Sequence, residues 1–233
     1  MKTTKTILAV GALLPTAVLA AEGEVTGVQQ WTAYLQQGGL TMAFIGLLSV
    51  LGLACALERL VHLRRSRISP EGLCAQAIEL GRKRNNDGLT ELLATNPCTF
   101  SSVLEDMLAT GRVKTYNMAM RVAEDKAARE LKLEAKKSAM LGTVATIAPL
   151  LGLFGTVVGL LGAFGTVAMM GEMGDASVLA DDIGKALVTT VGGLAVSMPA
   201  LFAHNYFRNK LSYLSVILEQ DISNFIVELF PEG

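Results

Sequence analysis

The side chains with the most capacity for chemistry in this chain are hydroxyls set among glycines in otherwise aliphatic sequence. On a helix turning about 100° per residue, Ala145, Pro149, Gly152, Thr156, Gly159 and Ala163 project toward one side. That face is small and Thr156 is its one hydroxyl, so a second helix can approach closely. Further along, Thr190, Gly193 and Ser197 share a face, with Thr189, Gly192 and Lys185 on an adjoining strip. Such seams admit two uses. A membrane threonine commonly bonds the carbonyl one turn back and a small-residue face commonly packs helices, which makes Gly152, Gly155, Gly159 and Gly193 packing positions. The other use is a narrow hydrated path for an ion along these hydroxyls. Neither apolar stretch contains Asp or Glu. A proton path here takes its titrating carboxylate from another polypeptide.

Other reactive groups are sparse. His204 stands near the end of the last apolar stretch, and imidazole titrates near neutrality, which suits a proton exit; a lone interfacial histidine is more often only amphipathic. His62 belongs to a basic cluster. Cys55, Cys74 and Cys98 are scattered, with no CxxC pair, no histidine at ligand spacing and no disulfide framework; Cys55 reads as a small buried hydrophobe. No nucleophile–base pair, metal spacing or phosphate-cradling loop with lysine is present, so the reading is of a non-enzyme without cofactor or metal. The formal net charge of −1 argues against nucleic acid as a partner.

The elements that would position these residues follow from hydropathy. Of the 233 residues, 51% are hydrophobic but only 6% aromatic, which favours membrane spans over a soluble core. Lys2, Lys5, the apolar run to Leu19 and the small residues at Val18-Leu19-Ala20 predict a signal peptide over residues 1–20, or an uncleaved anchor. In 21–39, Val28, Trp31, Tyr34 and Leu35 predict a short amphipathic segment on the periplasmic surface, ended by Gly38-Gly39. Residues 40–57 form a first span, stopped by Glu58, Arg59, Arg64, Arg65 and Arg67.

A helical cytoplasmic domain is predicted over 58–139. Ser69-Pro70-Glu71 predicts a helix start with serine as cap, followed by an apolar face of Leu73, Ala77 and Leu80. Breaks fall at Asn85–Gly88 and Asn96-Pro97, and a short helix with Leu104, Met107 and Leu108 ends at Gly111. From Tyr116 nothing interrupts the chain before Gly142, which predicts one long helix continuing into a second span at 140–170. Residues 138–171 carry no charge; as a helix they would run about 50 Å, beyond the ~30 Å hydrocarbon core. An acidic periplasmic loop (171–185), a third span (186–207) and an amphipathic cytoplasmic tail (208–233) complete an all-α membrane protein whose second and third spans extend into the cytoplasmic domain. Apart from Lys2, Lys5 and Lys185, every Lys and Arg falls on the assigned cytoplasmic side, as the positive-inside rule asks. The chain is thus read as a multi-pass protein of the bacterial inner membrane, contacting lipid, with its N-terminus periplasmic and its C-terminus cytoplasmic.

Two segments, APLLGLFGTVVGLLGAFG (148–165) and IGKALVTTVGGLAVSMPALFAHNYF (183–207), resemble the signature blocks of the ExbB/TolQ/MotA proton-channel family. The three-span layout, the Glu58-Arg59 stop and the helical domain extend the similarity over nearly all of the chain after residue 20. The resemblance implies a homopentamer whose pore, lined by second and third spans, encloses an ExbD-like single-span protein that supplies the protonatable aspartate, with a TonB-like protein as further partner. It maps the family's pore threonines onto Thr156 and Thr190. Lys185 departs from it, because members carry a glutamate at that pore entrance; Lys185 either pairs with Asp181 one turn earlier or modifies proton entry. His204 stands where relatives often have tyrosine. A signal sequence with three spans favours the ExbB branch over the four-span MotA branch, with energising of TonB-dependent outer-membrane transport as the implied function. A Tol-type envelope role and a non-conducting scaffold are the alternatives.

Overall fold

The computed structural model describes residues 39–109, 115–170 and 176–229. Every element among them is a helix: α1 Gly39–His62, α2 Arg65–Ile68, α3 Leu73–Arg82, α4 Asn86–Thr95, α5 Thr99–Ala109, α6 Tyr116–Met170 and α7 Ala176–Leu229. Three of these, α1, α6 and α7, are long and apolar enough to cross a membrane. The all-α, three-span reading holds, and α6 and α7 do continue from their apolar stretches into charged sequence. The signal sequence, the Val28–Leu35 segment and the Gly111 stop lie outside the described residues.

The chain divides into two compact units. The larger takes residues 47–150 and 194–233. Its core is made by short helices laying their apolar sides on α6 and α7. Ala119, Ala123 and Ala127 recur every four residues on α6 and are all buried, so side chains from neighbouring helices can press against its backbone. From α7 come Leu211, Leu214, Leu218, Ile222, Phe225 and Ile226; from α3, α4 and α5 come Leu73, Ala77, Leu89, Leu93, Phe100, Val103 and Leu104. Phe100 and Phe225 meet edge to face at 6.4 Å. The apolar residues of the expected amphipathic tail are core residues on an unbroken α7.

Local starts and stops follow capping chemistry, with one correction. Asn85 caps α4 by accepting the Gly88 N–H at 3.0 Å, and Asn96 ends it. Ser69, however, does not cap α3. That helix begins at Leu73 after Gly72, whose φ of 82° is a left-handed turn. The Ser69 hydroxyl is buried and donates instead to the Asp221 carboxylate on α7. A long-range acceptor outcompetes the local backbone. Beside it, the Cys74 thiol donates to the Asp221 carbonyl at 3.3 Å.

Arg59 is 0% exposed, held by Glu134 of α6 at 2.7 Å and Glu58 at 2.8 Å. In sequence it belongs to a charge cluster that ends a span; folded, it ties α1 to α6. Lys137 also pairs with Glu134 at 2.7 Å. Removing one partner of a buried pair costs on the order of 3–5 kcal/mol, because the other charge is stranded. Glu134→Ala, which leaves the buried Arg59 only the more exposed Glu58, should destabilise the purified protein more than Arg59→Met, which leaves Glu134 with Lys137 and a quarter of its side chain in solvent. Thermal unfolding in detergent reads the difference, and an equal loss in both would show that stranding the buried cation does not set the cost. A second expectation concerns Cys74. Burial, and after it the Asp221 carboxylate, pushes its thiol up to about 11. Its thiolate is scarce at neutral pH, so alkylation at pH 7.5 should be slow and climb about tenfold per pH unit toward pH 11, as read by mass spectrometry.

Candidate hydroxyl seam

The smaller unit contains residues 39–46 of α1, 151–170 of α6 and 176–193 of α7 among those described. Here α6 and α7 touch backbone to backbone. A Cβ added at Gly152 would stand 2.8 Å from the Thr189 carbonyl oxygen and 2.9 Å from the Thr190 Cα, and one at Gly159 would stand 2.6 Å from the Ala186 Cβ. At Gly155 it would meet the Thr189 Oγ1 at 2.5 Å and the Thr41 Oγ1 of α1 at 3.0 Å. The pairings 152 with 189–190 and 159 with 186 run in opposite directions, so the helices are antiparallel. Gly193 is buried and lies 3.4 Å from the same Gly152 position.

The hydroxyls in this seam differ in what they bond. Thr189 Oγ1 has two acceptors, the Ala186 carbonyl at 2.7 Å and, across the seam, the Gly152 carbonyl at 3.1 Å. Thr156 is 7% exposed and donates to the Leu153 carbonyl of its own helix at 2.6 Å. Thr190 Oγ1 is buried and has no partner. An unpaired buried hydroxyl costs about 1–3 kcal/mol. Lys185 pairs with Asp181 at 2.5 Å and Asp182 at 3.4 Å, all on α7, which reaches back to Ala176 through residues expected to form a loop. Among the described residues of this unit these two aspartates are the only carboxylates, and both serve Lys185.

Neither Thr156 nor Thr190 lies on an open face. The exposed residues are apolar, Leu153, Phe154, Val157, Val158 and Leu161 on α6 and Leu187 and Val191 on α7. The two small-residue seams close on each other within one chain because their glycines allow it. Spacing alone found both seams; it left Thr189, the hydroxyl that bridges them, on a neighbouring strip.

In the larger unit, α6 and α7 are bonded by a different device. Pro149 has no N–H, so the Ala145 carbonyl four residues earlier loses its helical donor. Ser197 of α7 replaces it, donating at 2.6 Å. The proline in an otherwise unbroken helix was the sequence signal for that bond. One heptad along each helix, the His204 ring packs on Gly142, where a Cβ would lie 3.1–3.3 Å from three ring atoms, and its Nδ1 is 3.1 Å from the Ser138 carbonyl. Among the described residues no cluster that could hold a metal ion is found.

The seam makes a steric test. Gly152→Ala forces a methyl against backbone atoms and should cost about 1–3 kcal/mol, whereas Gly162→Ala meets nothing within 4 Å and should be neutral or slightly stabilising in the helix. Thermal unfolding of both variants decides it, and equal stability would show that the backbone contact is absent in the protein.

Residues 99–220, more than half of the chain, match the family model described as the MotA/TolQ/ExbB proton channel family. No curated protein matches the chain. The matched range takes in α5, α6 and most of α7, and so contains the whole α6–α7 seam, Lys185 and His204. On this match the chain belongs to the MotA/TolQ/ExbB proton channel family.

Proposed function

We propose that this chain is the channel-forming subunit of an inner-membrane complex that uses the proton motive force, with an ExbD-like single-span partner, to energise TonB-dependent transport at the outer membrane. In this reading five copies enclose the partner's helix, the partner contributes a protonatable aspartate, and a TonB-like protein receives the motion. Orientation follows the charges. The basic residues after α1 and around the larger unit face the cytoplasm, and the acidic start of α7 faces the periplasm.

The observation that carries this reading is the Thr190 hydroxyl, enclosed and unpartnered in a unit whose described carboxylates are already engaged. A hydroxyl can donate to a carboxylate or accept from a carboxylic acid, so it can follow a guest aspartate through both protonation states. Water or such a carboxyl would complete it, and in this reading each comes from outside the described residues. Thr156, already satisfied on its own helix, borders the path in this reading and is not its acceptor.

The two adjacent threonines give a paired test. Thr190→Val removes an unsatisfied polar group and should leave the isolated protein as stable or about 1 kcal/mol more so, while proton flux through the reconstituted complex falls. Thr189→Val breaks bonds to two carbonyls and should cost about 1 kcal/mol. Liposome proton flux and thermal unfolding measure both properties. Undiminished flux in Thr190→Val, with the partner present, would refute the role assigned to that hydroxyl.

A further inference from the structure

We propose that His204 is a proton-carrying residue at the charged end of the α6–α7 pair, fixed in one tautomer by the Ser138 carbonyl so that its Nε2 alone takes up and releases the proton. This role rests on the chain's being a proton conductor and is independent of the partner's identity.

The geometry supplies each part. A carbonyl oxygen only accepts, so the Nδ1 that faces it at 3.1 Å carries hydrogen in both charge states. Nε2 is then the basic nitrogen of the neutral ring. Gly142 sets the ring's position, because any Cβ there would collide with Cε1, Nδ1 and Nε2 at 3.1–3.3 Å. The ring is only half-buried, which leaves it an exchange route. Within residues 138–171 and 186–207, His204 is the one side chain whose ordinary titration falls near neutrality, and an ionisable group in such sequence marks an ion path by default.

The step balances simply. Nε2 binds a proton to give imidazolium, and the same nitrogen later returns it, while the Nδ1–H bond to Ser138 persists. The proton does not pass through the ring, since the carbonyl cannot receive it. Charged groups surround the site from every element packed there. Glu134 and Lys137 lie on α6 just before Ser138, Arg59 of α1 is bound to Glu134, the Cys55 thiol of α1 is 3.8 Å from the Lys137 carbonyl, and Arg208 follows one turn on along α7. Arg59, Glu134 and Lys137 neutralise one another in part.

Asparagine separates this role from a structural one, because its amide nitrogen can occupy the Nδ1 position and keep the Ser138 bond while offering no titrating atom. The complex purified from membranes and placed in liposomes should assemble normally with His204→Asn, lose about tenfold or more of its proton flux, and lose the change of flux with pH seen in wild type between pH 5 and 8, where imidazole titrates. Flux and pH profile equal to wild type would overturn the proposal. If wild-type complex itself carries no protons, the broader functional reading fails instead. A second measurement needs no variant. The chain has two histidines, and nitrogen-15 spectra of the labelled protein should show one ring with Nδ1 protonated throughout and Nε2 titrating. A ring that holds its neutral-state proton on Nε2 at position 204 would equally overturn it.

Discussion

Backbone contact between α6 and α7 in the smaller unit is the constraint on which its chemistry depends. Gly152, Gly155 and Gly159 bring one helix so near the other that the Thr189 hydroxyl reaches a carbonyl on the facing helix. In a membrane there is no hydrophobic gain from bringing helices together, so close packing and interhelical hydrogen bonds carry association. The same closeness encloses the Thr190 oxygen. With a bulky residue at 152 the helices would stand apart, and that hydroxyl would meet lipid or water instead of a narrow apolar slot.

Enclosure has two consequences that pull against each other. A satisfied hydroxyl such as Thr156 is inert, since its hydrogen is committed to Leu153. An unsatisfied one such as Thr190 weakens the isolated chain. In the larger unit the carbonyl freed by Pro149 is met by Ser197 and the Arg59 charge by two glutamates, although the buried Arg59 Nε has no partner. There the polar groups serve packing.

Much of the architecture was legible because it is written in charge. Uninterrupted apolar runs marked the spans, and the absence of proline or glycine from Tyr116 to Lys137 marked α6 as a continuation and not a separate helix. What was hidden depends on long-range partners. Ser69-Pro70 looks like a helix start, yet Asp221, distant in sequence, claims the serine and the helix begins at Leu73. The acidic residues before the third span looked like loop, but Asp181, Asp182 and Lys185 are a matched set on consecutive helical turns, and α7 runs through them. In the seam, spacing identified the hydroxyl-bearing faces. It could not say that Thr189 bridges and Thr190 does not, because rotamer and neighbouring backbone decide that.

The distribution of acids points the same way as the enclosed hydroxyl. Among the described residues, carboxylates bordering the apolar stretches are held by cations, Glu134 by Arg59 and Lys137, and Asp181 and Asp182 by Lys185. None enters the uncharged stretch of α6, where an ionised side chain would be costly to bury. Residues 138–171 and 186–207 contain no Asp or Glu, which leaves hydroxyls and the His204 imidazole as the side chains there that can handle a proton. The match to a proton channel family and the lack of Asp or Glu in those two stretches place any titrating carboxylate outside them.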